Sequence, residues 1–317
     1  MDYFLSVRGR DGSGYSNREG AVKFLAVPGG AGHLHRGQEV RRTEWLAGVQ
    51  DASGCQRLAD GTVLDKGHIL IFVHGFNTDQ FDMLERHRLI RRGLAAHGFP
   101  GAVVSYDWPS NGSVLGYASD RRDARRAAEE LFFHGIRWLG RMQRADCAYN
   151  VHVLAHSMGC FLVREACDYA DDDHETAQSG WLVSQMAFVA ADISQKSMRA
   201  GNANSSSLYR RCARLTNYYS LYDETLSVSE VKRVGVSPRL GRIGLPSGHP
   251  RKAVNLSCGE YFKDNIANPG AAASWSHRWY FEAPRFYEDL NHSLLGKIDR
   301  DAIPTRGFTA QGKRALI

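Results

Sequence analysis

The chain has 317 residues, 43% of them hydrophobic, with 40 Lys and Arg against 34 Asp and Glu, a formal net charge of +6. That length supports a substantial core, as one large α/β domain with decorations or two small domains. The basic residues sit among acids, as in Asp120–Arg126, which reads as a solvated helix face without a recognition motif, so nucleic acid is not an expected partner.

Six cysteines occur without a C-x-x-C pair, which argues against a zinc ribbon; Cys160 and Cys167 lie too far apart along one helix to bond, and buried free thiols are the expectation. No signal-peptide pattern opens the chain, and no apolar run approaches the ~20 residues of a membrane span. A soluble, cytoplasmic protein without stable membrane insertion is expected, and the pattern calls for neither metal nor cofactor.

Residues 1–67 are rich in Gly and Arg and read as an N-terminal strand and loop extension packed on the core sheet. Tyr3–Arg8 and Val22–Val27 are predicted strands, and Glu44–Gln50 a weaker third. Pro28–Gly32 fits no phosphate-loop spacing and reads as a turn. From residue 68 to about 300 strands and helices alternate. His68–Val73 is a continuous apolar run, as in a strand buried on both faces. A helix with apolar-face positions Leu84, His87, Ile90 and Leu94 follows, closed by Gly98. Ala102–Tyr106 is the next strand, and a helix runs from about Asp120 to Met142. Val151–Ala155 leads into His156-Ser157-Met158-Gly159 and a helix to about Ala170. Gln185–Ala190, Leu215–Leu221 and Ala253–Ser257 are further strands, and Pro284–Leu295 is a closing helix. Loops at about 107–119 and 194–210 read as lids, the second because Gly201–Ser207 is small and polar. Residues 301–317 form a polar C-terminal tail. The alternation predicts an α/β fold: a mostly parallel central sheet with helices on both faces and an N-terminal antiparallel strand extension.

The chemistry centres on Ser157. Strand, tight turn bearing a serine, then helix is the nucleophile elbow of the α/β-hydrolase fold. The turn demands small residues two positions either side, and Ala155 and Gly159 occupy them. A serine hydroxyl needs a base, and the base an orienting acid. In chain order Ser, acid, His, the base falls on His277, after the last strand and ahead of the final helix. His174, His249 and His292 are less well placed. Two acids end strands: Asp223 is favoured, with Asp192 the alternative. The oxyanion donors are expected to be the backbone N–H groups of Met158, at a helix N-terminus, and Phe76, in the His74-Gly75 loop. Asn77, Asp107, Trp108 and Tyr222 are candidate pocket residues, with Asp107 structural as its other reading.

Five stretches, I-F-V-H-G-F-N, S-Y-D-W-P-S, A-H-S-M-G, A-A-D-I and S-L-Y-D-E-T-L, occur in that order over about residues 68–295. Together they resemble the bacterial α/β-hydrolase family catalogued as domain of unknown function 900. The resemblance implies a Ser–Asp–His triad without metal and leaves the substrate open. The expected activity is cleavage of an acyl ester, small or lipid-like, through an acyl-enzyme. A non-catalytic binding module, and an amidase or thioesterase on the same triad, remain open alternatives.

Overall fold

The computed structural model describes residues 1–110, 117–137, 148–231, 237–268 and 270–317. The strands in chain order are β1 (Asp2–Asp11), β2 (Gly14–Val27), β3 (Glu39–Val40), β4 (Gln56–Arg57), β5 (Val63–Asp65), β6 (Gly67–Val73), β7 (Ala102–Asp107), β8 (Tyr149–His156), β9 (Val183–Val189), β10 (Cys212–Tyr219), β11 (Ala253–Ser257), β12 (Arg306–Phe308) and β13 (Arg314–Leu316). All but β4 and β5 join one eleven-stranded sheet in the order β12-β13-β11-β10-β9-β8-β6-β7-β1-β2-β3. From β1 across to β13 every neighbouring pair is parallel; antiparallel pairs are confined to the ends, at β1–β2, β2–β3 and β12–β13. This is the expected mostly parallel sheet. The N-terminal strand is part of it, since β1 hydrogen-bonds to β7 as a parallel neighbour.

The helices are α1 (Arg42–Asp51), α2 (Gln80–Ala96), α3 (Tyr117–Leu131), α4 (Met158–Asp172), α5 (Ala203–Arg210), α6 (Glu224–Val231), α7 (Trp275–Arg278) and α8 (Pro284–Leu295), besides single turns. No described helix is long and apolar enough to cross a membrane. Side chains alternate between the two faces of a strand, so β6 feeds two cores. Ile69, Ile71 and Val73 pack with Trp45, Phe132, Phe161 and Leu162 on one face. Leu70 and Phe72 pack with Ile90, Leu94, Phe286 and Leu290 of α2 and α8 on the other. This double burial explains the unbroken apolar run.

Three expectations change. Glu44–Gln50 lies within helix α1, where Trp45 and Val49, four residues apart, both turn into the core. The lid-like loop at 194–210 is largely ordered into a 3-10 turn (Gln195–Met198) and α5. Asn202 caps α5, Ser207 Oγ donates to Asp168 and Tyr209 donates to the Met198 carbonyl at 2.8 Å, contacts that composition does not reveal. The tail is not loose: β13 extends the sheet beside β11, and β12 folds back on β13. Residues 111–116 of the loop at 107–119, the end of the helix expected near Met142, and Cys147 lie outside the described residues.

Candidate active site

The chain runs from β6 to β7 on one side of the sheet, then returns to place β8 on the other side of β6. Such a reversal opens a crevice at the carboxyl ends of the diverging strands. Ser157 stands there, between β8 and α4, with φ 54° and ψ −122°. A non-glycine residue in this region carries strain of about 1–3 kcal/mol and persists only where its surroundings hold it. Here the Ser157 N–H donates to the Val189 carbonyl at 3.0 Å, and its carbonyl accepts from Asp192 N–H at 3.1 Å. A Cβ on Gly159 would come within 2.5 Å of the Val73 and His74 carbonyl oxygens, so only glycine fits. Ala155 is fully buried, and its methyl is accommodated.

The second wall is the loop after β6. Val73 lies opposite Ala155 in the ladder, so His74–Asn77 leaves the sheet beside the elbow. A Cβ on Gly75 would come 2.8 Å from Ser157 Cβ. His74 lines the cavity, but both of its ring nitrogens are already engaged. Its Nδ1 donates to the Gly75 carbonyl at 2.9 Å and its Nε2 accepts from Trp108 N–H at 3.2 Å, a pattern the Nδ1–H tautomer satisfies. The Trp108 ring stacks on it, with Nε1 donating to the His74 carbonyl at 3.0 Å. Trp108 is therefore a buried buttress, not a pocket residue.

Asp107 is equally buried, which corrects its expected place in the pocket and agrees with its structural reading. It accepts from Ser6 Oγ at 2.9 Å and from Arg8 Nε at 2.6 Å, both on β1. Burial alone would raise its pKa, but the Arg8 guanidinium outweighs it and holds the carboxyl down at about 2. Arg8 also donates to the Thr78 carbonyl at 3.0 Å, so the first strand braces this loop directly.

On the third side stand His277 and Asp223. Asp223 follows β10, is fully buried, and accepts from Leu226 N–H at 2.9 Å, which seats it as a cap on α6. His277 lies in the short helix α7 rather than a loop, with Nδ1 2.7 Å from Asp223 Oδ2. A carboxylate oxygen accepts here, so Nδ1 is the donor and Nε2 is the ring nitrogen left outside that contact. Asp192, the alternative acid, is instead in a buried ion pair with Arg239 at 3.0 Å. His174 is exposed on a helical turn, while His249 and His292 line separate hollows.

Ser157, His277, Phe76, Asn77, Arg86 and His156 line one cavity of about 430 Å³. Tyr222 lies outside it, lining a neighbouring hollow of about 400 Å³ with Asp223 and Trp275. Met158 is buried at the first turn of α4.

Sequence reasoning assigned nothing to His156. Its Nε2 donates to the His277 carbonyl at 3.0 Å, and the two rings lie 4.7 Å apart. Burial, with the charges of His277 and Arg86, pushes its pKa well below the ordinary histidine value, so it remains a neutral donor. Its position beside Ser157 was the only signal available. Arg86 and Arg278 were also missed, because only the tertiary fold brings them to the cavity.

A doubly covered, mostly parallel sheet with a strained serine between strand and helix at the switch point defines an α/β hydrolase. The chain belongs to the family described as alpha/beta hydrolase of unknown function (DUF900), whose model matches residues 56–294. It is 24% identical over 221 residues to an uncharacterised protein of Nostoc sp., a match covering 55% of this chain and 56% of that protein's length. Solved structures it resembles include Aspergillus fumigatus lipase B, at 13% identity and TM-score 0.43, covering 94% of this chain and 67% of the lipase. Another is esterase B of Lactobacillus rhamnosis, at 14% identity and TM-score 0.40, covering 75% of this chain and 77% of the esterase.

Proposed function

We propose that this hydrolase cleaves carboxylic esters through an acyl-enzyme on Ser157. The observation that carries the reading is the 2.7 Å contact of His277 Nδ1 with buried Asp223, on a histidine that shares its cavity with the elbow serine. In this mechanism Ser157 Oγ attacks the ester carbonyl while His277 Nε2 takes its proton. Asp223 stabilises the imidazolium, and the N–H groups of Met158 and Phe76 receive the developing oxyanion. His277 returns the proton to the leaving alcohol; water, activated by the same base, then releases the acid. His156 and Asp107 touch no reacting atom in this scheme: one positions the base's backbone and the other the oxyanion loop.

The test is hydrolysis of p-nitrophenyl acyl esters of increasing chain length, alongside labelling by a fluorophosphonate probe. The wild type should hydrolyse and label, and Ser157→Ala should do neither. Labelling that survives in Ser157→Ala, or a wild type inert in both assays, would overturn the reading.

A further inference from the structure

The cavity around Ser157 carries a charge surplus that ester cleavage does not use. Arg86, on α2, lines it with its guanidinium 4.4 Å from the centre of the Phe281 ring. Arg278, on α7 beside the proposed base, lines it too. Against these two cations stands one lining carboxylate, Asp82, one turn before Arg86 on the same helix. Glu282 also acts on Arg86, less strongly than Asp82. Among the described residues no carboxylate comes within ion-pair distance of half-buried Arg86 or exposed Arg278, although the buried arginines at 8, 164 and 239, and the largely covered Arg306, each have one.

A half-buried guanidinium without a carboxylate partner is partly desolvated, which costs free energy that an anionic ligand would offset. Its cost is visible here: burial, with Arg278 adding repulsion, pushes the Arg86 guanidinium down from its ordinary range. His156, lining the same cavity, is held as a neutral ring and adds no charge of its own. Stacking on Phe281 holds one face of the guanidinium and leaves its in-plane N–H groups for a planar or tetrahedral oxyanion, which arginine binds in bidentate fashion.

We propose that Arg86 and Arg278 form an anion subsite, so that the ester cleaved at Ser157 carries a second, negatively charged oxyanion group, carboxylate or phosphate. This rests on the esterase reading for its substrate, but the subsite itself does not. Asp82 sharpens it, because a carboxylate near the mouth repels an anion that does not reach the two arginines.

The experiment compares p-nitrophenyl pentanoate with mono-p-nitrophenyl glutarate, which differ by a methyl against a carboxylate at the far end, with rates taken over the Ser157→Ala background. Wild type should favour the glutarate ester in kcat/KM by about tenfold or more, the size of one charge-assisted hydrogen bond. Arg86→Gln should bring the ratio to about one, and Arg86→Lys should retain part of it. Arg278→Gln, at an exposed side chain, should lower the ratio without risk to the fold. A preference that is absent in the wild type, or unchanged in both Gln variants, would overturn the proposal. Should wild type hydrolyse neither ester, the esterase reading fails and calorimetry with glutarate and with inorganic phosphate decides the subsite alone. Binding weakened about tenfold by Arg86→Gln supports it, the tighter anion naming the group; no binding, or binding indifferent to both arginines, overturns it.

Discussion

At the residue scale the site depends on two contacts that leave no room for change. Gly75 sits so close to the nucleophile that a methyl would press on Ser157 Cβ at 2.8 Å. Gly75→Ala is expected to slow fluorophosphonate labelling by roughly 10²-fold while far-UV circular dichroism stays native, since displacement of a reacting group by about an ångström costs that much. His156 acts differently, through its bond to the His277 carbonyl. His156→Phe leaves that carbonyl without its donor and should lose about 1–3 kcal/mol, read as a lower Tm. His156→Gln, which retains a donor, should recover part of both stability and labelling rate; equal losses in the two variants would refute the positioning role.

At the element scale the C-terminal hairpin holds more than a sheet edge. Asp289 of α8 is buried and accepts from Tyr218 at 2.7 Å, Thr305 at 2.6 Å and Arg306 Nε at 2.7 Å. Two of these donors lie in the segment read as a polar tail. Arg306→Met removes the only cation paired with this carboxylate among the described residues. A loss of about 3–5 kcal/mol is expected in urea unfolding, because breaking one side of a buried pair strands the other charge. The misreading has a physical cause. β12 and β13 are three residues each, too short for alternation to register. α1 failed for the opposite reason: seven residues with Trp45 and Val49 in them suit either period. His68–Val73 was legible because burial on both faces writes itself as an unbroken apolar run. The grouping of Asp223 with His277, and of His277 with Ser157 in one cavity, was legible because chain order constrains the three positions. Arg8, Arg86 and His156 were not, since their meaning depends on segments more than 60 residues away, as with Arg8 and the Thr78 carbonyl.

At the scale of the whole molecule, one ion pair, Arg8 with Asp107, ties the first strand to the end of β7, and the same arginine braces the loop after β6. The Asp107 carboxyl is depressed in the fold, to about 2 from an ordinary 3.8. Its contribution to stability is therefore fully present above about pH 4 and is lost as pH falls through 2. Arg8→Met should cost about 3–5 kcal/mol at pH 7, with the gap to wild type narrowing only as pH drops from 4 towards 2. Urea titrations at several pH values measure this; a gap that is flat across that window would count against the pair. Labelling of Ser157 should slow in the same variant, because Arg8 also holds the Thr78 carbonyl.

The pairing of Val73 with Ala155 has a consequence for heating. The proposed nucleophile and oxyanion loop are tied to adjacent central strands, so their separation persists until the sheet melts. His277 and Asp223 hang instead on a four-residue helix and a turn outside that ladder. Free energies of local opening fall towards such peripheral segments. Warmed slowly, the protein should become catalytically silent some degrees before it unfolds, with its serine still in place and its base gone astray. Cooled from that interval it should regain activity at once, with no refolding phase.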